Sequence, residues 1–176
     1  MSGLVALVGN PRPASRTERL ASALLDALAP RLGGETRVLD LAQLLDRHGS
    51  LFGPDAAPRW AEPLAVARSA RLLVVATPTY KASYTGLLKA FADHVPAGDW
   101  SGVVAVPVLT VGSPSHALAA DVHLRPLLLE LGAVTPTASL LAVGPELDDP
   151  AAVIDRWLER AAPVLENLLS TPARLG

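Results

Sequence analysis

Two short stretches carry side chains whose types and spacing could do chemistry. The first, "GNPRPASRT" (Gly9 to Thr17), sets Asn10, Arg12, Ser15 and Thr17 between an apolar run and a helical pattern. A strand-to-helix turn of this kind leaves backbone N–H groups free at the positive end of the helix dipole, which favours an anion. Asn10, Ser15 and Thr17 can each donate a hydrogen bond, and Arg12 brings a guanidinium shaped for phosphate. The plain alternative is an ordinary turn with Ser15 as N-cap; the company of Arg12, Asn10 and Thr17 favours the phosphate site. The second stretch, "TPTYKASYTGLLK" (Thr77 to Lys89), holds the only tyrosines and the only lysines of the chain, Tyr80, Tyr84, Lys81 and Lys89. Tyr80 offers an amphipathic ring and Lys81 a cation, whereas Tyr84 reads as core packing and Lys89 as a helix residue in an ion pair. A third loop, "TVGSPSH" (Thr110 to His116), adds the donors Thr110 and Ser113 and a histidine, His116.

Other chemistries find little support. The first loop lacks the G-x-x-x-x-G-K-[ST] of a P-loop, and Gly9 is its single glycine, so it is not G-x-G-x-x-G. Cysteine is absent, which removes disulfides and thiolate chemistry. No metal spacing links His48, His94, His116 and His123, and no Ser-His-Asp arrangement stands out. Neither a metal nor a catalytic acid or base is expected. Asp40, at the end of a strand, reads as a cap for the next turn. With 50% hydrophobic residues, 18% charged residues and a net charge of −2, the chain has no basic field to recruit nucleic acid. No apolar run approaches the roughly 18 residues of a membrane span. The opening "MSGLVALVGN" has no basic leader, so a cytoplasmic protein without a signal peptide is expected.

The elements that must position these loops follow from periodicity. Buried strands are expected at Leu4–Gly9, Thr36–Leu41, Arg71–Thr77 and Gly102–Gly112, although Pro107 sits badly in a central strand. A fifth is expected over "VTPTASLLAV" (134–143). Helical spacing marks residues 16–32, 62–70, 83–95, 116–133 and 149–170, and Pro126 requires a kink or restart in the fourth of these. Residues 42–60 read as a long connection with about one helical turn. Strand and helix alternate throughout, so right-handed crossovers give an α/β chain with an open parallel sheet and helices on both faces. Five strands favour the flavodoxin-like doubly wound order 2-1-3-4-5, as a single domain over residues 1–176. In such sheets ligands bind beyond the strands' carboxyl ends, where the three loops lie.

At this point a resemblance adds to the residue-level reading. "GNPRPASRT" is similar to the G-S-x-R-x-x-S-x-T loop of the NAD(P)H-dependent FMN reductases, and "ATPTYKASYTGLLKAFAD" resembles that family's A-T-P-x-Y-x-x-x-Y-x-G-x-L-K. The chain most resembles the branch that supplies reduced flavin to two-component monooxygenases such as those of alkanesulfonate use. The resemblance implies that Asn10, Arg12, Ser15, Arg16 and Thr17 hold the FMN phosphate. It implies further that Pro78, Thr79, Tyr80 and Lys81 flank the flavin ring, with Thr110, Gly112 and Ser113 beside them. NADPH or NADH would stack on the flavin and pass hydride to it. Gly86 would allow helix and loop to approach closely. The family's T-G-G-[ST] is departed from at Val111, so the turn or the flavin contact there must differ. Relatives of this branch often carry a π-bulge that would fall at Val122 or His123. A homodimer or homotetramer is implied, with the helices bearing Leu87–Phe91 and Leu124–Leu131 apolar enough for its interface, and a monooxygenase is the implied partner. The rivals are an FMN-retaining reductase of quinones or azo dyes and a non-enzymatic flavodoxin-like flavin-binding protein. Few aromatics and a charge near neutral fit the latter poorly.

Overall fold

The structure, a computed structural model, describes residues 3–170. Met1 and Ser2 of the opening stretch, and residues 171–176 of the expected domain, lie outside the described residues. Five parallel strands, β1 (Leu4–Val8), β2 (Thr36–Asp40), β3 (Leu72–Pro78), β4 (Val104–Val111) and β5 (Leu140–Val143), form one sheet in the order β2-β1-β3-β4-β5. The expected flavodoxin-like α/β arrangement is therefore present. β1 is buried on both faces, and its side chains alternate between two cores: Leu4, Ala6 and Val8 meet one, Val5 and Leu7 the other. The first core contains α1 (Arg16–Leu32) and α6 (Ala151–Ser170); the second contains α2 (Leu41–His48), α3 (Ala56–Arg68), α4 (Gly86–Ala92) and α5 (Arg125–Glu130).

Pro107 is accommodated because of where its missing N–H points. The N–H of Ala105 donates to Val134 on the β5 side, so residue 107, two positions on, faces that side as well. β5 pairs with β4 only from Val108 onward, and no ladder bond is lost. β5 itself is shorter than expected, since only Val134 of the earlier segment bridges to β4. Pro136 offers no donor, and the carbonyls of Thr135 and Thr137 accept from the Arg125 guanidinium at 3.0 and 3.1 Å instead.

Residues 42–60 and 83–85 also differ from expectation. The supposed connection of residues 42–60 contains all of α2 but its first residue, and the start of α3. Asp40 caps α2 by accepting from the Ala42 N–H at 3.0 Å. α3 carries proline at 58 and 63, which lowered its helical signal, yet burial of Trp60, Pro63 and Ala67 holds it. After β4 the chain makes a 3₁₀ turn (Pro114–His116), then a π-helix (Ala120–Leu124) at the expected Val122 and His123, and α5 restarts at Arg125 with Pro126 in its first turn, as the proline required. The Arg125 N–H reaches back to the Ala120 carbonyl, a widened turn immediately before Pro126, which has no N–H to give. α4 begins at Gly86 rather than Ser83, because Thr85 caps it by accepting from the Leu88 N–H at 3.1 Å.

Candidate functional site

The loops after β1, β3 and β4 meet at the carboxyl edge of the sheet, as expected. Asn10, Arg12, Pro13, Ala14, Ser15, Arg16, Thr17, Pro78, Tyr80, Thr110 and Leu147 line a cavity of about 320 Å³ there. A larger hollow of about 540 Å³ lies between residues 136–141 and α6 and contains none of the expected site residues. It lies away from the strand ends where α/β sheets place ligands, and we assign the site to the smaller cavity.

The first loop turns tightly into α1 at the edge of the cavity. Ser15 accepts from the Glu18 N–H at 3.1 Å and opens α1, so it is the N-cap that the plain reading required. The Asn10 side-chain Oδ1 accepts from the Arg12 N–H at 3.0 Å, and Ala14 takes a positive φ of 50° to turn the chain into the helix. The Arg12 side chain is exposed and makes no ion pair among the described residues, leaving its guanidinium free for a ligand. Arg16 faces Asp148 at 3.7 Å.

Asn10 and Thr17 are more buried than their expected role suggested. The Asn10 amide donates to the Thr17 hydroxyl at 3.1 Å, which lies 2.9 Å from the Thr110 hydroxyl. This buried chain ties the β1 and β4 loops together, while all three residues still line the cavity. Position and bracing are combined in the same side chains.

The β3 loop is a tight hairpin. Tyr80 and Ser83 exchange backbone hydrogen bonds of 2.8 and 3.1 Å, and between them Lys81 and Ala82 adopt φ of 51° and 62°. Two consecutive positive φ values define a type I′ turn, which L-residues other than Asn and Asp seldom occupy without cost. The turn holds Tyr80 at the cavity, half out of the surface, with Lys81 at the tip. Thr79 donates its N–H to Thr110 at 2.9 Å, and its buried hydroxyl has no protein partner. Tyr84 packs against the core, and Lys89 pairs with Asp93 one turn along, which raises its pKa.

Close approach of loop and helix falls to a different glycine from the one expected. A Cβ on Gly86 would meet nothing within 4 Å, whereas one on Gly9 would lie 2.6 Å from the Leu88 Cβ. The Thr85 hydroxyl bonds the Gly9 carbonyl, and the Thr85 N–H donates to the Thr77 hydroxyl at 3.1 Å, which locks β1, β3 and α4 at this contact.

The β4 loop explains the valine. Val111 ends β4 as a buried, extended residue paired with Val143, and neither it nor Gly112 has a positive φ. Gly112 and Ser113 do not line the cavity; Ser113 caps the 3₁₀ turn. His116 and His123 are exposed, His48 packs on Trp60 with ring centroids 5.5 Å apart, and His94 bonds the Leu51 carbonyl at 2.6 Å. Among the described residues no His, Cys, Asp and Glu group could hold a metal ion. Leu147, from the turn after β5, was not foreseen, and neither were Pro13 and Ala14. An isolated leucine gives no signal in sequence; only the return of residues 144–147 (a 3₁₀ turn) to α1 brings it to the cavity.

The fold is flavodoxin-like, with a cavity at the carboxyl ends of its strands. Residues 3–147 match the family model described as NADPH-dependent FMN reductase. The chain is 35% identical over 174 residues to an FMN reductase (NADPH) of Pseudomonas aeruginosa, covering 92% of this chain and 91% of the relative. It is 35% identical over 169 residues to an NADH-dependent FMN reductase, SfnF, of Pseudomonas putida, covering 94% and 90%. The apo crystal structure of an NADH:FMN oxidoreductase, EMOB, superposes with a TM-score of 0.80 at 31% identity, covering 98% of this chain and 92% of that one. The chain belongs to the NADPH-dependent FMN reductase family.

Proposed function

We propose that the chain, as a single flavodoxin-like domain working in the cytoplasm, reduces FMN with NADPH or NADH and releases the reduced flavin to a monooxygenase. The observation that carries this reading is the cavity at the α1 N-terminus, with an uncommitted Arg12 and the Ser15 cap at its mouth. The donor set fits the FMN phosphate, although the unpartnered Thr79 hydroxyl is buried and does not line the cavity. When bound, FMN supplies the hydride-accepting chemistry. The residues of this chain bind and orient: Arg12, Ser15, Arg16 and the first-turn amides of α1 hold the phosphate, braced by Asn10, Thr17 and Thr110. Pro78, Thr79, Tyr80 and Lys81 set the ring, with Gly112 and Ser113 at the outer margin. NADPH and NADH both appear in the names of relatives equally identical to this chain, so overall identity does not select the nucleotide.

Release is supported by how little aromatic surface the site offers. Tyr84 packs against the core, which leaves Tyr80 as the one tyrosine lining the cavity. Limited stacking suits micromolar, reversible binding of about −8 kcal/mol. We further propose a homodimer or homotetramer. Leu88 and Phe91 of α4 and Leu124 and Leu128 prove to be core residues, so they do not serve an interface. Leu118, Val122 and Leu129, exposed at 72%, 58% and 52%, supply an outward apolar face for a second copy instead.

The test is to incubate purified protein with FMN and either nucleotide under air. Rapid nucleotide oxidation, with protein that emerges colourless from gel filtration, is the expected result. A yellow protein holding one FMN per chain with ping-pong kinetics would favour a retained-cofactor quinone or azo-dye reductase. Binding without turnover would favour a flavodoxin-like binder.

A further inference from the structure

The rim of the cavity carries a carboxylate placed against the cradle's own charge. The turn at residues 144–147 contributes Leu147 to the wall, and the next residue, Asp148, faces Arg16 at 3.7 Å. This segment is pinned. The Val143 N–H donates to Glu146 at 2.9 Å, Arg156 reaches the other Glu146 oxygen at 2.5 Å, and the Asp148 N–H donates to Pro145 at 3.0 Å. Asp148 is therefore held at the mouth by its backbone, with its carboxylate free to choose a cation.

Arg16 and Asp148 are 54% and 73% exposed, so their pair contributes little to folding. Its consequence is electrostatic. Arg16 is the first residue of α1 and lines the same cavity as Arg12, whose guanidinium is uncommitted. A phosphate entering the cradle finds one arginine free and the other facing a carboxylate at 3.7 Å. The fixed carboxylate also repels a group carrying close to two negative charges.

We propose that Asp148 sets the affinity of the site for phosphate-bearing flavin: it competes with the phosphate for Arg16 and keeps bound FMN exchangeable. The inference rests on the phosphate-cradle reading of the loop from Asn10 to Thr17. A chain that hands its flavin to another protein needs such a brake, because two free arginines on one phosphate would slow release.

The experiment titrates FMN and riboflavin, which lacks the phosphate, into the full chain carrying Asp148→Asn, at low and high salt. Because an exposed ion pair is worth at most about 1 kcal/mol, FMN binding should tighten about two- to five-fold at low salt. Its dissociation should slow to match. The gain should shrink with salt, vanish largely in an Arg16→Gln background, and be absent for riboflavin. Unchanged or weaker FMN binding, or equal tightening of riboflavin, overturns the assignment. Arg12→Ala is titrated in parallel to separate the two levels. If it weakens FMN selectively while Asp148→Asn does nothing, the role of Asp148 alone falls. Equal effects of Arg12→Ala on FMN and riboflavin would remove the phosphate reading and Asp148 with it.

Discussion

Replacing Gly9 by alanine tests how the cradle is held against the rest of the fold. The added Cβ would stand 2.6 Å from the Leu88 Cβ and 3.3 Å from its Cγ and Cδ1, where ordinary contact begins at 3.4 Å. A shift of close to an ångström is required, and a Cβ cannot give way by rotation as a side-chain tip can. α4 must move, yet Thr85, at its start, is bonded to the Gly9 carbonyl and to Thr77, so relief of the clash strains those bonds. Overpacking of this kind costs about 1–3 kcal/mol. For a chain of this length that corresponds to a fall in Tm of about 2–12 °C. Gly86→Ala is the matched control: its Cβ enters open space on the first residue of α4, and its better helix propensity gains up to about 1 kcal/mol. Thermal and urea denaturation of both variants decide the matter. A Gly9→Ala protein as stable as the parent, or a Gly86→Ala protein damaged more, would refute the packing argument.

Three further outcomes are expected. Ala82→Gly relieves one of two consecutive left-handed residues and should raise stability by about 1 kcal/mol or less once glycine's freedom in the unfolded chain is subtracted; a loss in urea denaturation would show that the turn is not strained. Val122→Glu should shift the chain to a smaller species in light scattering, and an unchanged assembly would remove that face from the interface. Glu146 has its pKa lowered below its ordinary 4.5, first by the Val143 N–H and then by Arg156. Its stabilising contribution is thus full above that value and is lost as pH falls through the lower folded one. Glu146→Gln should therefore melt below the parent at neutral pH and converge with it in acid, and a constant difference across pH would contradict this.

Much of this molecule is written in local sequence. The apolar runs at β1, β3 and β4 announce strands buried on two faces, and their alternation with helical spacing leads to the parallel sheet and its order. The caps Ser15 and Asp40 are equally legible, because a cap is satisfied by backbone two or three residues away. The composition of the loops after β1 and β3 also pointed to the strand ends where the cavity lies, since strand-end loops on one side of such a sheet must converge.

What tertiary structure alone decided involves partners distant in the chain. Thr17 and Thr110 meet across 93 positions, and no periodicity records that Asn10 and both threonines would brace one another. Gly9 rather than Gly86 is the close-contact glycine because Leu88 of α4 packs directly on it, a fact of packing that glycine's own conformational freedom does not reveal. Trp60 holds α3 through prolines that weaken it locally, and Arg125 takes the carbonyls that would have lengthened β5. Leu147 reaches the cavity, and Asp148 reaches Arg16, only when the end of the sheet returns to the start of α1. Local pattern is set by which face each residue must bury; the identity of the neighbour on that face is set by the path of the whole chain.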